Sequence, residues 1–290
     1  MPYTTLISAS ELHALAASGK PLMVFDCSFD LAAPTTGEHD YLGGHIPGAV
    51  YAHLDHALSA GSGPRASGGR HPLPTREAFA AWLGSVGFSN GMQAVVYDRN
   101  GSAFCGRLWW MLKWLGHDAV AVLDGGLQAW QAAGGAVESG PPATHAPGDF
   151  TARPPLATAL DTATVADRLR QGNLTVIDAR AAPRFRGEVE PLDPVAGHIP
   201  GALNRPFVDN IGADGCFKPA AQLRAEFEQL LAGRAPSTVI HHCGSGVSAI
   251  PNLLGMEVAG LGRSALYAGS WSEWCNTPGL PCARSQVSGG

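Results

Sequence analysis

The chain carries little charge for its size. Asp, Glu, Lys and Arg make up 15% of it, against about 25% in an average globular protein. Its 24 acidic and 19 basic residues leave a net charge of −5. The basic patch of a nucleic-acid binder is therefore missing, and no nucleic-acid partner is expected. No run approaches about 18 consecutive apolar residues, so neither a membrane span nor a membrane partner is expected. The first residues, Met-Pro-Tyr-Thr-Thr-Leu-Ile, have neither a basic segment nor an apolar core, which speaks against a secretory signal. The six cysteines at 27, 105, 216, 243, 275 and 282 include no C-x-x-C pair. Such scatter disfavours a disulfide framework or a zinc site, and suits reduced thiols in a cytoplasmic protein. No cluster of metal-ligand residues stands out, so neither a metal nor an organic cofactor is expected.

What is present is a duplication. The 290 residues, 45% of them apolar, suffice for about two domains with packed cores. Gly44-His-Ile-Pro-Gly-Ala49 recurs as Gly197-His-Ile-Pro-Gly-Ala202, an offset of 153 residues. Leu22-Met-Val-Phe-Asp26 matches Leu174-Thr-Val-Ile-Asp178 at an offset of 152. Asp124-Gly-Gly-Leu-Gln-Ala-Trp130 matches Ala268-Gly-Ser-Trp-Ser-Glu-Trp274 at 144. A period this long means two whole domains and not a solenoid. The divide falls in 138–156, where Ser-Gly-Pro-Pro, Ala-Pro-Gly and Arg-Pro-Pro break every pattern. The expected organisation is an N-terminal domain over 1–140, a linker over 141–158 and a C-terminal domain over 159–290.

Within each half, short apolar strands alternate with helical patterns. In the second, helices are expected over 161–171, with Asp161 as N-cap, and over 219–231. Strands are expected over 174–178, 237–242 and 265–268, with a helix over 249–261. Alternation of this kind predicts an α/β fold, a parallel sheet with helices on both faces. Ligands bind such sheets beyond the carboxyl ends of the strands. Cys243-Gly-Ser-Gly-Val-Ser248 stands at one of those ends, between a strand and a helix. Backbone N–H groups and the positive end of a helix there favour a thiolate, the reactive form of cysteine. Gly244 and Gly246 let the turn curl tightly enough for its amides to converge.

The paired Gly-His-Ile-Pro-Gly-Ala motifs, Asp178-Ala-Arg180 and the cysteine loop together resemble the tandem rhodanese-domain sulfurtransferases. Cys243-Gly-Ser-Gly-Val, followed by Tyr267-Ala-Gly-Ser-Trp-Ser-Glu-Trp274, is closer to the 3-mercaptopyruvate members than to the thiosulfate-preferring ones. The resemblance runs from about Ile7 to Trp274 and implies two rhodanese-like domains, the first non-catalytic and the second catalytic. It implies a Cys243 persulfide, charged by a small-molecule sulfur donor and discharged to cyanide or a thiol. A thioredoxin-like protein is one candidate acceptor. In the first half an aspartate, in Ala94-Val-Val-Tyr-Asp98, stands at or beside the place of Cys243 and cannot carry sulfur. Cys105 close by reads as a buried thiol.

The same resemblance assigns the site residues. Arg184 matches the substrate-binding arginine, with Arg186 the weaker candidate. The amides of Gly244, Ser245, Gly246, Val247 and Ser248 would hold the sulfur anion. A second arginine that mercaptopyruvate members often carry a few residues on is missing from Glu188-Val-Glu-Pro-Leu-Asp-Pro194, so thiosulfate remains the alternative donor. Ser245, His71 and Asp55 match a serine–histidine–aspartate triad. Ser245 then either polarises the donor carbonyl or only hydrogen-bonds the loop, and His71 is either catalytic or a surface-loop residue. His45 and His198 occur in both copies and read as structural. His241 and His242 should point to opposite sides of their strand, and Asp178 and Arg180 should pair locally. Trp109, Trp110, Trp114 and Trp130 read as core and interdomain packing and not as a binding platform. Cys275 and Cys282 are either two free thiols or a regulatory disulfide. A cysteine phosphatase needs Cys-x5-Arg, and the required position is Ala249. A non-catalytic binding module is the other rival, and the retained thiol, glycines and Arg184 argue against it.

Overall fold

The computed structural model describes residues 1–285; the last five residues of the expected C-terminal domain lie outside the described residues. The chain forms two compact units. The first comprises Met1–Ala66, Leu73–Ala157 and Ile211–Lys218. The second comprises Ser67–Pro72, Thr158–Asn210 and the chain from Pro219. Two short segments thus belong to the unit formed by the other half of the sequence, an exchange that no boundary read from composition expresses.

The first unit runs β1 (Leu6–Ile7), α1 (Ala9–Ala17), β2 (Leu22–Asp26), α2 (Thr36–Gly43), β3 (Val50–Tyr51), α3 (Arg76–Ser85), β4 (Gln93–Tyr97), α4 (Cys105–Trp114), β5 (Val120–Leu123) and α5 (Gly126–Ala132). Its sheet is parallel throughout, in the order β1-β5-β4-β2-β3. The central strand β4 is buried along its whole length, as a strand covered on both faces should be. Val24, Val95 and Tyr97 pack with Leu12, Tyr41 and Trp130 on one side of the sheet. Phe25, one residue after Val24, meets Trp82 of α3 and the edge of Phe88 on the other. Helices therefore cover both faces. Trp109, Trp110, Trp114 and Trp130 are all buried.

The second unit repeats the plan with β6 (Ala159–Leu160), α6 (Thr162–Arg170), β7 (Thr175–Asp178), α7 (Ala182–Arg186), β8 (Leu203–Asn204), α8 (Ala220–Leu231), β9 (Val239–His242), α9 (Ile250–Val258), β10 (Ala265–Tyr267) and α10 (Ser270–Trp274). Its parallel order is β6-β10-β9-β7-β8, the first sheet's order strand for strand. Asp161 caps α6, its side chain accepting the Thr164 N–H at 2.7 Å. The two histidines of the repeated motif do the same job in each copy. His45 Nδ1 bonds the Tyr41 carbonyl and its ring stacks on Tyr41; His198 Nδ1 bonds the Phe185 carbonyl and stacks on Phe185. Among the described residues no helix is long and apolar enough to cross a membrane.

Candidate active site

Cys243 is the first residue beyond β9, between β7 and β10 in the sheet. Pro236–Thr238 form a single 3-10 turn, so β9 starts at Val239 and not at 237. The Cys243 side chain is 1% exposed. Its backbone N–H donates to Ser270 Oγ at 3.1 Å, and that hydroxyl donates to the Tyr267 carbonyl at 2.9 Å. The carbonyls of Cys243 and Gly244 accept the N–H groups of Trp271 (3.0 Å) and Ser272 (2.8 Å). Ser270 holds a left-handed conformation, φ +54°, as does its counterpart Gly126 at +59°. A serine sits in that costly conformation because its hydroxyl ties down the cysteine amide. Gly246 has φ +76°, and a Cβ there would run into the Ala268 carbonyl oxygen.

The first unit shows what a loop of this length can hold. Asp98 follows β4 and Cys105 begins α4, seven residues on; Cys243 follows β9 and Ile250 begins α9, also seven on. The two loops are equal in length, which puts Asp98 at the place of Cys243. The Asp98 carboxylate accepts four backbone N–H groups, from Asn100 (2.8 Å) and Ser102 (3.0 Å) on Oδ1 and from Phe104 and Cys105 (both 2.9 Å) on Oδ2. In the first copy the loop is an anion cradle filled by a carboxylate, and the second copy carries a sulfur at the same position.

Around Cys243 the second unit gathers the residues expected and others that were not. Ser245 Oγ and His71 Nδ1 are 2.7 Å apart and both residues are buried. His71 is thus no surface-loop residue, because Ser67–Pro72 belongs to the unit of Cys243. Gly69 (φ +84°) allows that fit, since a Cβ on it would stand 2.5 Å from the Gly269 carbonyl. Asp55 belongs to the first unit, half-buried after β3, its N–H donating to His53 Nδ1 at 3.1 Å. Arg184, on α7, points an edge at the loop: its terminal nitrogens lie 3.5 and 3.6 Å from where a Gly244 Cβ would be. Arg186 turns away into an ion pair with Glu188.

A second arginine reaches the loop from outside α7. Arg70 Nη2 lies 3.2 Å from the same point beside Gly244. Two carboxylates back the arginines. Glu190 Oε1 is 2.6 Å from Arg184 Nη2, and Asp193 Oδ1 is 2.6 Å from Arg70 Nη1. Arg180 is buried over the Trp271 ring, 4.8 Å from its centroid, and binds Asp178, Glu190 and the Gly197 carbonyl. Burial would raise the Asp178 carboxyl, but its neighbours, Arg180 among them, hold it below the usual carboxylate range.

His241 and His242 do face opposite ways, yet neither meets solvent. His241 Nε2 is 3.2 Å from Met256 Sδ, while His242 lies 3.1 Å from the Cys243 carbonyl and 3.5 Å from Asp178. Burial lowers the pKa of both, that of His241 to about 3. Two neutral histidines packed this way are scaffold and not proton carriers. Cys105 is buried, and burial raises its pKa well above the usual thiol value. Cys275 and Cys282 are free thiols. No group of three or more potential metal ligands occurs among the described residues.

A rhodanese-like domain model matches residues 8–133 and again 161–277. The chain belongs to the rhodanese family. Among its relatives, the probable 3-mercaptopyruvate sulfurtransferase of Pseudomonas aeruginosa is 47% identical over 98% of this chain and 99% of its own. A putative thiosulfate sulfurtransferase of Mycobacterium tuberculosis is 37% identical over 96% of each chain. The crystal structure of the Escherichia coli 3-mercaptopyruvate sulfurtransferase superposes with a TM-score of 0.79 at 31% identity, covering 93% of this chain and all of that one. This rhodanese is therefore an α/β tandem-domain sulfurtransferase, as its duplicated motifs imply. The sequence left Arg70 and Ser270 unread. The signal for Ser270 was a serine where the first copy has the second glycine of Asp124-Gly-Gly. Arg70 had none, because nothing in Gly69-Arg-His-Pro shows that this segment joins the other half.

Proposed function

We propose that this rhodanese transfers a sulfane sulfur from 3-mercaptopyruvate, through a Cys243 persulfide, to cyanide or a small thiol. The observation that carries the reading is the cradle itself, since the copy whose geometry can be read atom by atom closes four amides on one anion. Equal loop length puts the amides of Ser245 and Val247 at the places of those of Asn100 and Ser102, and the turn from Gly244 through Ser248 is assigned to hold the Cys243 sulfur. Arg184 and Arg70, both beside Gly244, would anchor the donor carboxylate through charge-assisted bonds.

The Cys243 thiolate attacks the donor sulfur. The sulfur–carbon bond breaks and its electron pair leaves on carbon as the pyruvate enolate. The Ser245–His71 pair delivers the proton that turns enolate into pyruvate. Asp55 is assigned as the third member of that group on the family resemblance alone. The persulfide anion then passes its outer sulfur to cyanide as thiocyanate, or to a thiolate, and the cysteine returns as thiolate. Thiosulfate is the second reading, favoured by the two guanidinium groups beside the loop. A thioredoxin-like protein would serve as acceptor in a reducing cytoplasm, where the free thiols suit the chain.

The test is mass spectrometry after mixing with 3-mercaptopyruvate and no acceptor. The wild type should gain one sulfur atom on the peptide carrying Cys243, and C243S should gain none and turn over nothing. A C243S protein that keeps its activity would overturn the assignment.

A further inference from the structure

We infer that Asp193 and Glu190 select the donor by charge: they neutralise Arg70 and Arg184 in advance, so that a singly charged donor is matched and a dianion is not. The inference rests on the two arginines anchoring the donor, as proposed above.

Each arginine is divided between two tasks. One edge of each guanidinium faces Gly244, and the other is committed to an internal carboxylate. The carboxylates are locked behind the arginines, 3% exposed against 29% for Arg70 and 20% for Arg184. Glu190 is fixed further by the N–H groups of Leu192 (3.1 Å) and Asp193 (3.3 Å) and by Arg180 (3.2 Å). Asp193 Oδ2 is buried without a hydrogen bond, 3.6 Å from Arg184 Nη2. A buried carboxylate oxygen left in that state is there for its charge.

Arg70, Arg180 and Arg184 face Asp178, Glu190 and Asp193 in one connected network. Three positive groups meet three negative ones, so the network presents two guanidinium edges but almost no surplus positive charge. The Cys243 thiolate then makes the site negative. A monocarboxylate finds its hydrogen-bond donors at small electrostatic cost, whereas thiosulfate brings a second negative charge that nothing compensates. An open cleft of about 390 Å³ beside Gly69 and Ser272 is lined by Arg70 and Asp193, so this pair borders the exterior through the exposed edge of Arg70.

The experiment compares kcat/KM for 3-mercaptopyruvate and for thiosulfate, with cyanide as acceptor, in wild type, D193N, E190Q and R184A. Removing one negative charge beside a partly exposed ligand is worth about tenfold. D193N should therefore raise kcat/KM for thiosulfate about tenfold through a lower donor KM, and leave that for 3-mercaptopyruvate within about threefold. E190Q acts on the other end of the network, should move the ratio the same way, and carries the test if D193N does not fold. A ratio unchanged in both variants, while R184A loses mercaptopyruvate activity, overturns the selection by charge and leaves the donor reading standing. Full mercaptopyruvate activity in R184A overturns the anchoring itself.

Discussion

Four backbone amides end on the Asp98 carboxylate, and all four lose their partner if the side chain is cut back to alanine. Leaving a buried donor unpaired costs about 1–3 kcal/mol, and the four share one anion, so D98A should lose about 4 kcal/mol of stability. D98N keeps one oxygen and should fall between. Urea denaturation of the three proteins measures this, and an alanine variant as stable as wild type would dismiss the cradle as an accident of the loop. The same comparison shows what a residue-level reading could see. The aspartate at the place of the cysteine was legible, because the duplicated strands align without a structure. Its four amide bonds were not, because backbone direction is not written in side-chain identity. Arg70 was hidden for a different reason: the six-residue segment that carries it, Ser67–Pro72, packs in the second unit although the chain on both sides of it lies in the first.

At the scale of elements, the strands and helices could be read from periodicity, and their ends shifted for local reasons. β9 begins two residues late because Pro236 opens a 3-10 turn, and α9 ends at Val258, where Gly260 and Gly262 follow with positive φ. Glycine in a turn is ambiguous from sequence, since the residue serves either backbone freedom or close packing. The structure separates the two. Gly262 has φ +85° with open space around it, whereas Gly246 has positive φ and the Ala268 carbonyl against it. G262A should cost about 1 kcal/mol, the price of the left-handed conformation, and keep full activity. G246A adds a backbone collision, should cost about 3 kcal/mol, and should slow sulfur transfer at least tenfold by displacing the cysteine loop. Thermal denaturation and turnover of both variants decide it. Equal activity would mean that the loop need not be held where it is.

Across the molecule, the duplication carried two sheets but a cysteine at the loop position in the second copy alone, and the first copy holds an anion of its own there. Buried neutral histidines occur in both units: His117 in the first, His241 and His242 in the second, each with its pKa lowered chiefly by burial. The consequence for stability has a definite sign. Above pH 7 these groups are neutral folded or unfolded and contribute no pH dependence. Below their unfolded value of about 6.5 the unfolded chain takes up protons that the folded chain refuses, so stability falls as the pH falls. Each such histidine adds a slope of up to about 1.4 kcal/mol per pH unit. For His241 the slope persists down to about pH 3, where the folded protein would itself accept the proton. Asp178 acts in the same direction but lower. Its folded pKa lies below the unfolded 3.8, so its contribution is present above about pH 4 and disappears only beneath it. Between pH 6 and 5 the histidines therefore dominate. H241L removes one of them, replacing an imidazole that touches Met256 with an apolar side chain. Urea midpoints at pH 7, 6 and 5 should show the wild type losing stability more steeply than H241L, by up to about 1.4 kcal/mol per unit. Parallel slopes would mean that His241 is protonated inside the fold, and that the strand carrying Cys243 is far wetter than its packing shows.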